Sequence, residues 1–251
     1  MTLIGRYGHG IFNTLSIFFH WIKMAKGIYL GIDGCKEGWV AVALHDDGTF
    51  CNSMVAKKLS VLIDYYAEAK TVGVDMPLDL VNGPTRIADQ LVRKELGPKR
   101  GRSVFPAIPK FMIEPRWINL GANELNAESR NRFDCAFSRQ TINLKKKILE
   151  VNQCSLNGSN IIEVHPELCF MRMNNGEPLP YSKKTWNGMQ HRLSLLKTTG
   201  IKLPNDMGPK TGIISSDDII DAAAVAWTVR RYAFGKALSY PDDHDSPQIW
   251  V

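Results

Sequence analysis

The sequence predicts an α/β protein built around a mixed five-stranded sheet with helices on its faces. Three apolar segments joined by short turns come first, at residues 28–32, 39–44 and 50–56, and this pattern predicts an antiparallel meander. A helix and a short β-branched strand at 71–74 follow, and a strand–helix–strand unit predicts parallel pairing with the first strand. The fifth strand is predicted at 160–166, where a proline ends it.

The helices are predicted from apolar spacing and from their end signals. Apolar residues at helical spacing predict a helix over 60–69. Beyond residue 86 the chain is basic and helical in pattern until Gly97-Pro98, and residues 101–127 show no clear period. Further helices are predicted at 138–151, 188–198 and 216–233, before a turn-rich tail. This order of elements is that of the RNase H-like fold, in which the first strand is central and the fourth and fifth run parallel to it.

The domain is expected to begin at residue 27 and to run to residue 251 as a single unit. Residues 1–26 are interpreted as an extension outside the fold. Their apolar part, at 11–22, is too short and too polar for a membrane span, which favours a protein without a membrane partner. A signal or membrane-surface role for the extension is the alternative.

Composition is typical of a globular protein that binds no membrane. The 251 residues are 44% hydrophobic and 22% charged, and the formal net charge is +6, which is compatible with a polyanionic partner such as nucleic acid. Five scattered cysteines without a paired spacing indicate neither a zinc knuckle nor a disulfide framework. Reduced thiols and a cytoplasmic location are therefore expected.

Two aspartates end predicted strands. Asp33 follows the first strand and Asp75 the fourth. Ligands of α/β sheets bind beyond the carboxyl ends of the strands, so both carboxylates are candidate site residues. The alternatives are an Asp33-Gly34 hairpin turn and a helix-cap or turn acid at Asp75.

Two more aspartates, Asp218 and Asp221, lie three residues apart at the start of the last helix. This spacing places both on one helix face, beside an alanine-rich segment with a core-like pattern. Buried carboxylates are costly unless a cation meets them. For Asp218 the alternative is a capping box with Ser215. Four acids at element ends predict a shared divalent-metal site.

Glu163 and His165 lie on one face of the predicted fifth strand. Glu163 is a candidate ligand or base, and His165 a candidate proton-transfer group. A hydrogen-bonded histidine at a strand end is the alternative for His165. Among the basic residues, Arg86, Arg93 and Arg102 are candidates for phosphate contact, or else belong to a solvated helix face. The run Lys145-Lys146-Lys147 is interpreted as solvated.

Several short motifs together resemble the domain-of-unknown-function family 429, which is described as predicted RNase H-like nucleases. The resemblance covers residues 27–251 and rests on Gly31-Ile32-Asp33-Gly34-Cys35-Lys36, Gly38-Trp39, Val74-Asp75-Met76-Pro77-Leu78, Ser103-Val104-Phe105, Ser138-Arg139-Gln140-Thr141, Glu163-Val164-His165-Pro166-Glu167, Ser182-Lys183-Lys184-Thr185 and Asp217-Asp218-Ile219-Ile220-Asp221-Ala222. The last helix also resembles that of Holliday-junction resolvases of the same superfamily, whose two metal-binding aspartates match Asp218 and Asp221. Lys36, in the first motif, joins the three arginines as a candidate substrate-binding residue.

The resemblance implies a metal-dependent nuclease that hydrolyses DNA or RNA with two Mg²⁺ or Mn²⁺ ions roughly 3.5–4 Å apart. The expected metal ligands are Asp33, Asp75, Asp218 and Asp221. Two alternatives stay open. One is a small-molecule phosphotransferase or nucleotide binder of the actin-like superfamily. The other is a non-catalytic nucleic-acid-binding protein, in which the acids would lie apart. The sequence leaves the form of the nucleic acid and the oligomeric state undetermined.

Overall fold

A mixed five-stranded sheet forms the centre of the protein. The computed structural model describes residues 27–243 and 245–251, so the expected extension at 1–26 lies outside the described residues. The strands run in the order β3-β2-β1-β4-β5. The first three pair antiparallel, whereas β4 runs parallel to both β1 and β5. The predicted sheet is confirmed, with β1 at Tyr29–Cys35, β2 at Gly38–Leu44, β3 at Phe50–Ala56, β4 at Val72–Val74 and β5 at Ile161–Glu163.

Ten α-helices are found among the described residues. They are α1 (Leu59–Tyr65), α2 (Ile87–Glu95), α3 (Gly97–Arg100), α4 (Ala122–Phe133), α5 (Arg139–Asn143), α6 (Lys145–Leu156), α7 (Pro166–Met173), α8 (Trp186–Thr198), α9 (Gly208–Thr211) and α10 (Ser216–Ala233). Short 3₁₀ turns occupy Gly101–Ser103 and Lys110–Ile113, and a small hairpin joins β6 (Ser239–Tyr240) to β7 (Ile249–Trp250). Within this part of the chain, no helix has the length and apolar content needed to cross a bilayer.

The sheet is covered on both faces, which explains why β1 and β2 are almost continuously apolar. On one face the alanine-rich segment of α10 packs with Val40, Val42 and Phe170. On the other face Leu30, Ile32 and Trp39 pack with residues of α1 and α6. The Trp39 indole N–H donates to Glu150 at 3.0 Å, which ties α6 to β2. The core therefore has two layers of helices around one sheet.

Helix α10 lies unusually close to the central strand because Gly31 has no side chain. A Cβ on Gly31 would lie 2.1 Å from the backbone nitrogen of Ala226 and 2.2 Å from the carbonyl oxygen of Ala222. Only a glycine in β1 and small residues in α10 permit this approach. The close contact brings the first turns of α10 beside the carboxyl ends of β1 and β4.

The structure differs from the sequence prediction in four places. Pro166 begins α7 instead of ending a long strand, because proline suits the first turn of a helix, where its missing N–H costs nothing. Helix α4 was not predicted, since only Leu125 and Ser129 of its residues are buried and its apolar period is weak. The helix predicted at 138–151 is divided into α5 and α6. Lys147 is not fully solvated, as its ammonium lies 4.4 Å from the centre of the Trp39 ring.

Candidate metal centre

Three carboxylates from distant parts of the chain converge at one edge of the sheet. Asp33 lies near the end of β1, Asp75 follows β4 directly, and Asp221 lies in the second turn of α10. Each offers one oxygen, and these three oxygens lie within 4.8 Å of one another. Only 7% of Asp33 and 2% of Asp221 is exposed. We call Asp33, Asp75 and Asp221 the acidic triad; together they could hold a metal ion.

The backbone places the first two members of the triad side by side. Parallel pairing sets Ile32 opposite Val74, and the Asp75 amide donates to the Ile32 carbonyl at 3.1 Å. The Gly34 amide donates to Asp33 Oδ1 at 2.6 Å and holds that carboxylate against the turn. Helix α10 then brings Asp221 from the adjacent face. The triad lines a cavity of about 450 Å³.

Burial makes the charged forms of these acids costly. It raises the pKa of Asp33 well above its ordinary value, and the negative charges of Asp75 and Asp221 raise it further. Burial also raises the pKa of Asp75 to about 6 and that of Asp221 to about 7, in spite of a nearby lysine. Three carboxylates in one buried space thus favour either protons or cations.

Lys183 places a positive charge beside the acidic triad. Its ammonium forms an ion pair with Asp221 and lies 3.7 Å from Asp217. Burial opposes the charge on Lys183, but the surrounding carboxylates raise its pKa above the ordinary value. The neighbouring Lys184 is more exposed and pairs with Asp217 at 2.5 Å. Lys183 was not predicted as a site residue. Two signals could have identified it: the buried acids need a positive charge nearby, and Lys183 belongs to the family-like motif at 182–185.

Asp218 lines the same cavity but lies outside the triad. It is half-buried, and burial together with Asp217 raises its pKa. Its role as a metal ligand stays a prediction. The alternative capping box is not formed, since the Ser215 side chain makes no cap hydrogen bond and its hydroxyl instead donates to Asp217.

Glu163 and Arg86 form a buried ion pair at the wall of the cavity. Two guanidinium nitrogens of Arg86 donate to the two carboxylate oxygens of Glu163 at 2.7 Å each, and one also donates to Asp89 at 2.6 Å. Only 2% of Arg86 is exposed. These carboxylate partners give Arg86 a structural role, and its predicted phosphate contact stays a prediction. Glu163 also accepts the Leu78 amide at 2.7 Å, so both of its oxygens are engaged.

Two further polar atoms at this wall lack partners among the described residues. They are Nδ1 of His165 and Oε2 of Glu167, both shielded from solvent. Burial lowers the pKa of His165 and favours its neutral ring, although nearby carboxylates, chiefly Glu167, oppose this shift. The other oxygen of Glu167 pairs with Arg192, and 9% of Glu167 is exposed. Glu167 belongs to a family-like motif, but no local pattern distinguished it from its neighbours.

The remaining predicted basic residues lie outside the acidic cavity. Arg93, Arg102 and Lys36 are all exposed. Arg93 donates to the Val104 carbonyl at 2.6 Å. Arg93 and Arg102 line a second cavity of about 970 Å³, whereas Lys36 lines neither cavity. Their predicted contact with substrate stays a prediction.

Comparison with known proteins agrees with the family suggested by the motifs. A family model described as "Protein of unknown function (DUF429)" matches residues 31–246. No curated protein and no solved structure matches the chain.

Proposed function

We propose a function for this chain, which belongs to the DUF429 family, from the chemistry of its acidic triad. The triad binds Mg²⁺ or Mn²⁺, and the protein hydrolyses phosphodiester bonds of DNA or RNA. The observation that carries this proposal is the convergence of the Asp33, Asp75 and Asp221 oxygens within 4.8 Å in a buried cavity.

The residues fit a hard divalent cation. Carboxylate oxygens are the ligands that Mg²⁺ and Mn²⁺ prefer. Three carboxylates and one ammonium, that of Lys183, leave a net charge of minus two, which one such divalent ion balances. The unpartnered, buried Oε2 of Glu167 is a further acceptor beside the triad. A second ion, as a two-metal mechanism requires, would use Asp218 on the same cavity.

The protein side of the chemistry follows from the same wall. When bound, a divalent ion lowers the pKa of a coordinated water and offsets charge on the phosphate. His165 is held neutral by burial and has Nδ1 free, so it can accept a proton from the attacking water. Lys183, released from Asp221, carries a positive charge for a phosphate oxygen. Burial of Asp33 and Asp221 strengthens these electrostatic interactions, because the surrounding medium is less polar than water.

The fold supports the nuclease assignment over the alternatives. The strand order with β1 central, three antiparallel strands and two parallel ones is the order expected of an RNase H-like protein. The acids lie at the strand ends and on the last helix, as the resemblance implied. A non-catalytic binder would leave the acids apart, but the triad is together. Two similar lobes, expected of an actin-like phosphotransferase, are not seen among the described residues, which form one five-stranded sheet and one hairpin.

The test measures metal binding and cleavage with matched variants. Mn²⁺ is titrated into the wild-type protein, Asp33→Asn, Asp221→Asn and the exposed control Asp64→Asn, and calorimetry records affinity and stoichiometry. The same proteins are incubated with single-stranded and duplex DNA and RNA in Mg²⁺ or Mn²⁺. We expect binding and cleavage in the wild type and the control, and loss of both in the two triad variants. The proposal fails if the wild type binds no Mn²⁺, or if cleavage survives in Asp221→Asn.

A further inference from the structure

A second cavity adjoins the acidic one and shares a wall with it. The shared residues are Val104, Phe105, Pro106, Gln140 and Thr141. The second cavity measures about 970 Å³ and is the more open of the two. We call it the basic groove. Residues of α2 and of the turn after it line this groove, which adjoins the cavity of the acidic triad.

The basic groove combines positive charge with an exposed aromatic ring. Its described lining residues include three cationic side chains and no acidic one: Arg93, Lys94 and Arg102. All three are exposed. Phe105, at the shared wall, leaves 41% of its surface exposed. Single exposed aromatic residues are common on proteins. Phe105 differs from them by its position, because it lies between a basic groove and an acidic cavity.

We propose that the basic groove binds single-stranded nucleic acid. A base stacks on the ring of Phe105, and phosphates of the same strand lie against Arg93, Lys94 and Arg102. Basic grooves with aromatic platforms are the general means of binding single strands, because every base has a face to stack while the backbone follows the charges. The binding itself does not depend on the proposed cleavage. The direction of the strand into the acidic triad rests on the proposed function, and so does the argument for a single strand that follows from the recessed triad.

Two geometric features favour a single strand over a duplex. The triad is recessed, with only 2% of Asp221 exposed, so a phosphodiester must enter the cavity to reach it. A flexible single strand can bend into such a space, whereas a duplex is stiff over ~150 base pairs. In addition, the ring of Phe105 can stack only on a base that is not already stacked inside a helix. The Arg93 guanidinium donates at 2.6 Å to the carbonyl of Val104, the residue before Phe105.

Fluorescence anisotropy tests the proposal without cleavage. The full chain is titrated, in EDTA, into a labelled oligothymidylate of about 12 nucleotides, within the ~4–16 nucleotides that one single-strand-binding fold covers. A blunt duplex of the same length is the competing ligand. The variants are Phe105→Ala, Phe105→Tyr and Arg102→Ala. Tyr65→Ala and Arg130→Ala are the matched controls, because both residues are exposed and line neither cavity. Thermal melting verifies that each variant is folded.

We expect the single strand to bind at least about tenfold more tightly than the duplex. Phe105→Ala should weaken single-strand binding by at least about fivefold, the lower end of what one stacked base contributes, and Phe105→Tyr should restore it. Arg102→Ala should lower the slope of log affinity against log salt by about 0.7, the value for one phosphate contact on a single strand. The two control variants should change neither affinity nor slope.

Two results would overturn the inference: a duplex that binds as tightly as the single strand, or a Phe105→Ala protein that binds like Tyr65→Ala. The Asp221→Asn variant separates this inference from the proposed function. If neither the wild type nor any variant binds Mn²⁺ or cleaves nucleic acid, but single strands still bind, the proposed nuclease activity is refuted and the inference about the basic groove stands. Metal-dependent cleavage combined with no effect at Phe105 would refute the groove alone.

Discussion

Replacement of Lys183 by methionine should reveal the buried charge of the acidic triad. Methionine keeps the unbranched apolar stem and removes the ammonium that pairs with Asp221. Loss of one partner of a buried ion pair costs ~3–5 kcal/mol. Because 32% of the Lys183 side chain is exposed, solvent screens part of this effect. We therefore expect the free energy of unfolding to fall by about 2–3 kcal/mol near pH 8.

The loss should depend on pH with a defined sign. The folded-state pKa of Asp221 is raised to about 7 and that of Asp75 to about 6, even with Lys183 present. Between about pH 5 and 7 the folded protein thus holds more protons than the unfolded chain, whose aspartates titrate near ~3.9, and stability falls as pH rises. Each extra proton contributes up to ~1.4 kcal/mol per pH unit. Removal of the ammonium raises these pKa values further, so the slope steepens and the Lys183→Met defect shrinks near pH 5.

Urea denaturation across this pH range, with and without Mn²⁺, measures the effect. The control is Lys184→Met, since Lys184 is largely exposed and pairs with Asp217 outside the triad; it should lose less than about 1 kcal/mol. Mn²⁺ should restore Lys183→Met and bind it at least about tenfold more tightly than the wild type, because no ammonium has to leave Asp221. The reasoning is refuted if Lys183→Met is equally destabilised at both ends of the pH range and Mn²⁺ restores nothing.

Three further outcomes are expected from single changes. Arg86→Met should destabilise the protein by ~3–5 kcal/mol in urea denaturation, because it leaves two buried carboxylates unpaired, whereas the exposed Arg102→Met should stay within ~0.5 kcal/mol. Gly31→Ala should yield misfolded or insoluble protein, since its Cβ would lie 2.1 Å from the backbone of α10. Gly83→Ala should melt like the wild type, because no heavy atom lies within 4 Å of the added Cβ. His165→Asn should keep the Mn²⁺ affinity measured by calorimetry but slow cleavage at least ~100-fold, which is typical for loss of a general base; unchanged cleavage would exclude His165 from proton transfer.

The sheet could be predicted because its strands carry strong local signals. Strands β1 and β2, which are buried on both faces, are nearly continuous apolar runs. Asp33, Asp75 and Asp221 could be chosen as candidates for a related reason, because an acid next to an apolar run is conspicuous. Helix α4 carries no such signal, because Leu125 and Ser129 are its only buried residues and its apolar period is weak.

The charge partners in the site could not be predicted from local sequence. Arg86 and Glu163 are 77 residues apart, and nothing in either segment indicates that they pair. Lys183 lies in a loop before α8, and its position depends on how that loop passes over the first turns of α10. A buried acid predicts that a cation exists, but the tertiary structure alone decides whether that cation is a lysine, an arginine or a metal ion.

The spacing of the acidic triad is set by residues that carry no charge. Gly31 and Gly73 allow α10 to lie against β1 and β4, since a Cβ on Gly73 would come within 2.4 Å of the Val229 side chain. The small side chains of the alanine-rich segment of α10 also allow this close approach, from the side of the helix. If either surface were bulkier, the helix would lie farther from the sheet and Asp221 would separate from Asp33 and Asp75. The glycines in the strands and the alanines after Asp221 are therefore requirements of the candidate metal centre as well as of the core, because three oxygens can share one cation only while helix and strands remain in backbone contact.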